Sequence, residues 1–274
     1  MTIHGYRLTP QRIIPLDLSA SSLDELTGRV SDGFYTTFST LAQGTRVLGL
    51  NAHLNRLYEP ARELRLHPSV TEQTLRQHLA KLAGTNLPHE SRIRLVLTKD
   101  KGEVYAGIQP FIAPPKEIYE KGVHVVSAEM ARHDPRIKGT DFISQSAAQR
   151  KLVKGDIYEI LLMKNGRVLE GMTSNFYAIK NNTLITAQKG ILLGVTRRIV
   201  LRLAKGEGMS IEYRSPKLNE SFDEAFLTSS SRGVVPIVRI DVQPVGQGRV
   251  GAWAKTLSLA YQAYVEERSE SILP

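Results

Sequence analysis

Glu170-Gly171-Met172-Thr173-Ser174-Asn175-Phe176 is the stretch on which the reading of this chain turns. Upstream of it stands Lys138, and downstream Leu192-Leu193-Gly194-Val195-Thr196-Arg197. Residues 157–163 and 167–170 read as strands joined through Asn165-Gly166, the strongest short hairpin signal, so Glu170 sits at a hairpin's end. Residues 175–180 and 183–186 form a second hairpin through Asn181-Asn182, and residues 196–204 carry apolar positions at helical spacing. An amine, a carboxylate and the N-terminus of a helix therefore follow one another along the chain.

Outward from this region, residues 30–40 are rich in aromatic and β-branched side chains and read as a strand entered through Asp32-Gly33. Leu54, Leu57, Ala61 and Leu64 predict a helix over residues 50–65, with Pro60 marking a kink or a fresh first turn. A second amphipathic helix is expected over 71–83. A strand is expected over 92–98, whose period of two puts Arg92 and Arg94 on one face. Ala113-Pro114-Pro115-Lys116 gives adjacent prolines, which favour extended backbone. This divides the chain into a domain of residues 1–115, a connection at 116–121 and a domain of residues 122–274. In the second, a strand over 123–127, a helix over 144–154, a strand over 224–228 and a last helix over 253–267 are predicted. Hairpins dominate, so the class is α+β rather than a wound parallel sheet.

The 274 residues, 41% hydrophobic and 23% charged, suffice for a sizeable core. Without cysteine the chain has no disulfide, thiolate metal site or cysteine nucleophile, and no metal is expected. The net charge of +9 is dispersed and mixed with acidic residues, and there is no aromatic-basic RNA signature, so no nucleic-acid partner is expected. No apolar stretch approaches the ~20 residues that span a bilayer. Met1-Thr2-Ile3-His4-Gly5 does not read as a secretory signal, so no membrane and a cytoplasmic location are expected.

One lysine among 36 Lys and Arg residues is by default a solvated charge. Lys138, however, follows a strand and precedes a helix, an anchored position that suits a Schiff-base amine. Glu170 could simply face water, or could hold a protonated pyridine nitrogen. Gly194-Val195-Thr196 could be an ordinary helix start, or an amide cradle for a phosphate. Aldehyde, ring nitrogen and phosphate are three parts of one cofactor, pyridoxal 5'-phosphate (PLP).

In order and spacing this constellation resembles the class IV aminotransferase family. The glutamate, four intervening residues, asparagine and aromatic of 170–176, and the glycine-x-threonine-arginine of 194–197, match its motifs. The resemblance implies PLP fold type IV: a smaller N-terminal α/β sandwich domain, a larger C-terminal β-barrel-like domain with surrounding helices, and a homodimer. It implies Lys138 as the catalytic residue. Glu170, Ser174, Asn175, Val195, Thr196, Ser229 and Ser230 would bind cofactor, as would Arg56 of the histidine-x-x-arginine-leucine motif at 53–57. Tyr35, Thr36, Arg92, Arg94 and Ser231 would face substrate. Branched-chain enzymes carry a tyrosine shortly after the lysine for the cofactor's ring hydroxyl. Ile143 stands there instead, leaving Arg132 or Arg136 as donors.

The implied function is an aminotransferase that moves an amino group between an amino donor and a keto-acid acceptor by a Lys Schiff-base ping-pong mechanism. Arg94 supports it, standing where relatives bind a carboxylate. Thr36, where many transaminases have a glutamate, points to the alternative, a 4-amino-4-deoxychorismate lyase that eliminates pyruvate. A catalytically dead binding protein on the same fold is a further option of a different class.

Overall fold

The computed structural model describes residues 3–17 and 19–274. The chain forms two compact units, one from Met1–Ile112, Ile137–Gln145 and Glu267–Pro274, the other from Ala113–Arg136 and Ser146–Glu266. The contiguous division drawn from the prolines contains neither excursion. Adjacent prolines stiffen the chain locally and say nothing of the distant pairing that returns residues 137–145 and 267–274 to the first unit. The short helix Glu117–Glu120, inside the expected connection, belongs to the second unit.

The first unit holds a seven-stranded sheet in the order Glu270–Ser271, Arg46–Val47, Gly33–Leu41, Ser91–Thr98, Val104–Pro110, His4–Leu8, Ile13–Pro15. Gly33–Leu41 pairs antiparallel with Ser91–Thr98, setting Phe34 opposite Leu97, Thr36 opposite Leu95 and Phe38 opposite Ile93. These residues share one face, because successive side chains in a strand alternate. Helices Leu50–Glu63 and Glu72–Gly84 supply Leu54, Leu57, Leu75 and Leu79, all at 0% exposure, to the same hydrophobic cluster. Each such burial is worth about 1.5–3 kcal/mol. Tyr35, Arg92 and Arg94 occupy the opposite face. Pro60 does not start a fresh first turn: the helix Leu50–Glu63 runs through it. Proline removes one backbone donor and crowds only the turn before it, and Arg65, at φ 54°, ends the run.

The second unit holds a mixed sheet. Its order is Ser210–Tyr213, Thr183–Thr186, Asn175–Lys180, Glu224–Ser229, Gly233–Ile240, Val123–Glu129, Ile157–Lys164, Arg167–Gly171, with Gln243–Pro244 paired to Gly233–Ile240. Both predicted hairpins form. Asn165 and Gly166 sit at φ 53° and 68°, and Asn181 and Asn182 at φ 48° and 60°, the left-handed pairs a two-residue hairpin turn requires. Phe176, Ala178, Leu161, Leu227 and Val235 build its core. The helix expected over 144–154 is instead two short ones, Asp141–Gln145 and Ala147–Arg150. The break falls where the chain passes from the first unit to the second.

Candidate functional site

In the first unit the Lys138 segment is fixed by its backbone. Tyr35 N–H donates to the Lys138 carbonyl (2.9 Å), Thr140 N–H donates to the Gly33 carbonyl (2.9 Å), and Gly33 N–H donates to Thr140 Oγ1 (2.9 Å). Gly33 is required there, because a Cβ would lie 2.1 Å from the Leu97 carbonyl oxygen. Lys138 is half-buried, and its Nζ lies 4.7 Å from the centroid of the Tyr35 ring, a cation–π distance.

The guanidinium of Arg94 lies 5.0 Å from the centroid of the same Tyr35 ring. It is buried and already has a carboxylate: Nη1 donates to Asp24 Oδ1 (2.5 Å), and Nε donates to Thr37 Oγ1 (3.0 Å). Arg92 shares its face and pairs opposite Ser39. Thr36 does not join this group. It is at 0% exposure on the other face, where its hydroxyl is bonded to His53 Nδ1 (2.8 Å) under the Leu50–Glu63 helix. Burial foremost, then the charges of Arg56 and Lys138, push the His53 imidazole down to a pKa of about 3. His53 is therefore neutral, and Arg56 and Lys138 both act on it.

In the second unit Glu170 is at 2% exposure. Its Oε1 accepts from Arg132 Nε (2.7 Å) and its Oε2 from Leu192 N–H (3.1 Å). Arg132, a candidate for the ring hydroxyl, thus braces Glu170, and also donates to the Met172 carbonyl (3.0 Å). Arg136 is the exposed partner of Asp134 at 4.0 Å. Asn175 Nδ2 donates to the Leu192 carbonyl (2.7 Å), so Glu170 and Asn175 together tie down the segment entering the helix Val195–Gly206. A Cβ on Gly194 would lie 2.2 Å from Asn175 Oδ1, so only glycine permits this approach. No side chain caps that helix. The amides of Val195 and Thr196 open it with an N-terminus suited to an anion. Thr196 Oγ1 lies 3.5 Å from Tyr261 Oη.

The serine turn follows the strand Glu224–Ser229. Ser229 Oγ accepts from Arg232 Nε (2.9 Å), Ser230 is exposed and Ser231 half-buried. Ser174 donates its hydroxyl to Glu159 Oε2 (3.3 Å), which places it on a buried carboxylate the sequence reading overlooked. Glu159 was legible as the one acid in the apolar run Ile157-Tyr158-Glu159-Ile160-Leu161-Leu162. Tyr261 and Arg232 carried no comparable signal.

Each of these groups, taken within its own unit, has the chemistry that one part of PLP calls for. A half-buried amine is held by its backbone, a buried carboxylate is braced by an arginine and an amide, and an uncapped helix is held close by a glycine. The amino-transferase class IV family model matches residues 33–240. A D-alanine aminotransferase of Bacillus licheniformis is 29% identical over 229 residues, 78% of this chain and 81% of its own length. A protein of Thermotoga maritima named "probable branched-chain-amino-acid aminotransferase" is 33% identical over 201 residues, 70% of this chain and 72% of its own. The crystal structure of the branched-chain amino acid aminotransferase from Thermobaculum terrenum in its PLP form superposes with a TM-score of 0.77, at 20% identity and 98% coverage of both chains.

Proposed function

We propose, for a chain that belongs to the amino-transferase class IV family, that Lys138 is the residue that holds its cofactor. The fold is PLP fold type IV. The enzyme is a PLP-dependent aminotransferase that moves an amino group between an amino acid and a 2-keto acid. The observation that supports Lys138 most is its setting: backbone hydrogen-bonded to the strand Gly33–Leu41, amine half-buried against Tyr35.

When bound, PLP supplies an aldehyde that condenses with amines and a protonated ring that accepts the electron pair left by the substrate's α-proton. Lys138 would bind the aldehyde and, once its amine is released, take the α-proton as general base. Glu170 would accept a hydrogen bond from the ring N–H, its carboxylate oriented in advance by Arg132 and the Leu192 amide. The amides of Val195 and Thr196, with Arg56, Ser229 and Ser230, would hold the phosphate. Asn175 acts through the backbone it anchors at Leu192, and Ser174 through Glu159. Tyr35, Arg92, Arg94 and Ser231 would face substrate. A substrate carboxylate that reached Arg94 would share the guanidinium with Asp24.

Transamination is favoured over elimination by the relatives and by Thr36. The hydroxyl that suggested a lyase is buried, bonded to His53 and turned away from the Tyr35 face. The substrate class we propose is a small or branched aliphatic α-amino acid, supported by the D-alanine and branched-chain names of the relatives. A homodimer is proposed from the family resemblance. A cytoplasmic location is in keeping with described helices of which none is long and apolar enough to cross a membrane. A half-reaction panel of both amino-acid enantiomers tests the reading. Amino donors are expected to change the absorption of the PLP-loaded enzyme and release one keto acid per site. Pyruvate from aminodeoxychorismate, with no amino donor active, would contradict it.

A further inference from the structure

The turn between the strands Glu224–Ser229 and Gly233–Ile240 is held from several sides. Arg232 folds its side chain inward, with its guanidinium 5.5 Å from the centroid of the Tyr158 ring. Its Nη2 donates to Glu159 Oε2 (3.1 Å) and to Thr173 Oγ1 (2.6 Å), and its Nε to Ser229 Oγ (2.9 Å). Its own carbonyl accepts from Tyr119 Oη (2.8 Å). Glu159, at 2% exposure, also accepts from Thr173 Oγ1 (2.5 Å) and Ser174 Oγ (3.3 Å). One buried carboxylate thus gathers donors from the turn after Glu170 and from the turn after Ser229.

Hydrogen accounting gives this cluster a direction. A guanidinium N–H can only donate, so Ser229 Oγ is the acceptor in that contact and its own proton points elsewhere. Among the described residues none accepts it. Ser174 differs, since its proton is committed to Glu159. We propose that Arg232, anchored on Glu159, is a positioning residue that presents the Ser229 hydroxyl as a ready hydrogen-bond donor to an anionic oxygen of the bound ligand, a phosphate or a carboxylate. This rests on the reading that the serine turn faces cofactor or substrate. A donor oriented before the ligand arrives loses little freedom on binding, which is where such a contact gains its strength.

The test uses the full-length protein and titrates PLP and pyridoxal, which lacks the phosphate, into the apo form, alongside KM and kcat for an active amino donor. Ser229→Ala removes the donor. Arg232→Lys keeps a cation opposite Glu159 but loses the guanidinium fork, and the pair Glu159→Gln with Arg232→Gln removes both buried charges together. Each change is expected to lose about tenfold in one binding step, the scale of one hydrogen bond to a charged group. Weaker PLP with unchanged pyridoxal identifies the phosphate. A raised KM with kcat and PLP affinity held identifies the substrate carboxylate. Arg232→Lys combined with Ser229→Ala should lose no more than either alone. Unchanged PLP affinity and KM in Ser229→Ala, or losses that multiply in the combined variant, overturn the proposal. Should Arg232→Lys fail to fold, the neutral pair carries the same expectation. A wild-type protein that takes up no PLP would instead sink the functional reading itself, so the two failures are told apart.

Discussion

At the scale of single residues, His53 and Arg94 show how burial decides what a polar side chain does. His53 was visible in the sequence only as part of a motif. The structure makes it a neutral imidazole between Thr36 and the ring of Phe38, whose centroid lies 5.0 Å from its own. Its folded pKa, about 3, lies below the ordinary value of 6.5. Between those two pH values the unfolded chain binds a proton that the folded chain does not. The stability this neutral histidine permits is complete above pH 6.5 and is lost as pH falls toward 3. The expected slope is about 1.4 kcal/mol per pH unit. Urea unfolding of wild type and His53→Gln across that window should show the slope reduced in the variant, and parallel curves would refute this assignment. Arg94 spends its guanidinium on Asp24 and Thr37. Its replacement by alanine should therefore cost about 1.5–3 kcal/mol of stability. If Arg94 also meets substrate, KM rises as well. A lower melting temperature with unchanged KM would confine Arg94 to the fold.

At the scale of elements, the entry to the helix Val195–Gly206 is fixed on both sides of Leu192. Glu170 holds the Leu192 amide, Asn175 holds the Leu192 carbonyl, and Gly194 leaves room for Asn175. Gly194→Ala would place a methyl 2.2 Å from Asn175 Oδ1. It is expected to weaken PLP binding by about tenfold or more, some 1.4 kcal/mol, with little change in far-UV circular dichroism. Retained affinity would show that the helix entry can shift without consequence. This element was legible because its parts lie close in sequence, and the two hairpins were legible because Asn-Gly and Asn-Asn turns act through local backbone geometry. The split at Ser146 and the strands His4–Leu8 and Val104–Pro110 were not, because distant pairing sets them. The family motif groups Tyr35 with Thr36, but the two-residue period of the strand puts them on opposite faces.

At the scale of the whole molecule, neither unit is one continuous stretch of chain, so neither can be cut out by a single cleavage. Residues 1–112 alone would lack the Phe34–Gly139 bridge, the Thr140 contacts to Gly33 and the strand Glu270–Ser271. That fragment should melt well below the intact protein in a thermal scan, and equal stability would contradict the discontinuous build. The same return of residues 137–145 gives Lys138 its fixed backbone and its place against Tyr35, which no division of the sequence at the proline pair could reveal. The most direct measurement is borohydride reduction of the PLP-loaded enzyme followed by peptide mass mapping. A single pyridoxyl label on Lys138, absent from Lys138→Ala, is the result expected. A label on another lysine, or a Lys138→Ala protein that still labels and still transaminates, would contradict the account.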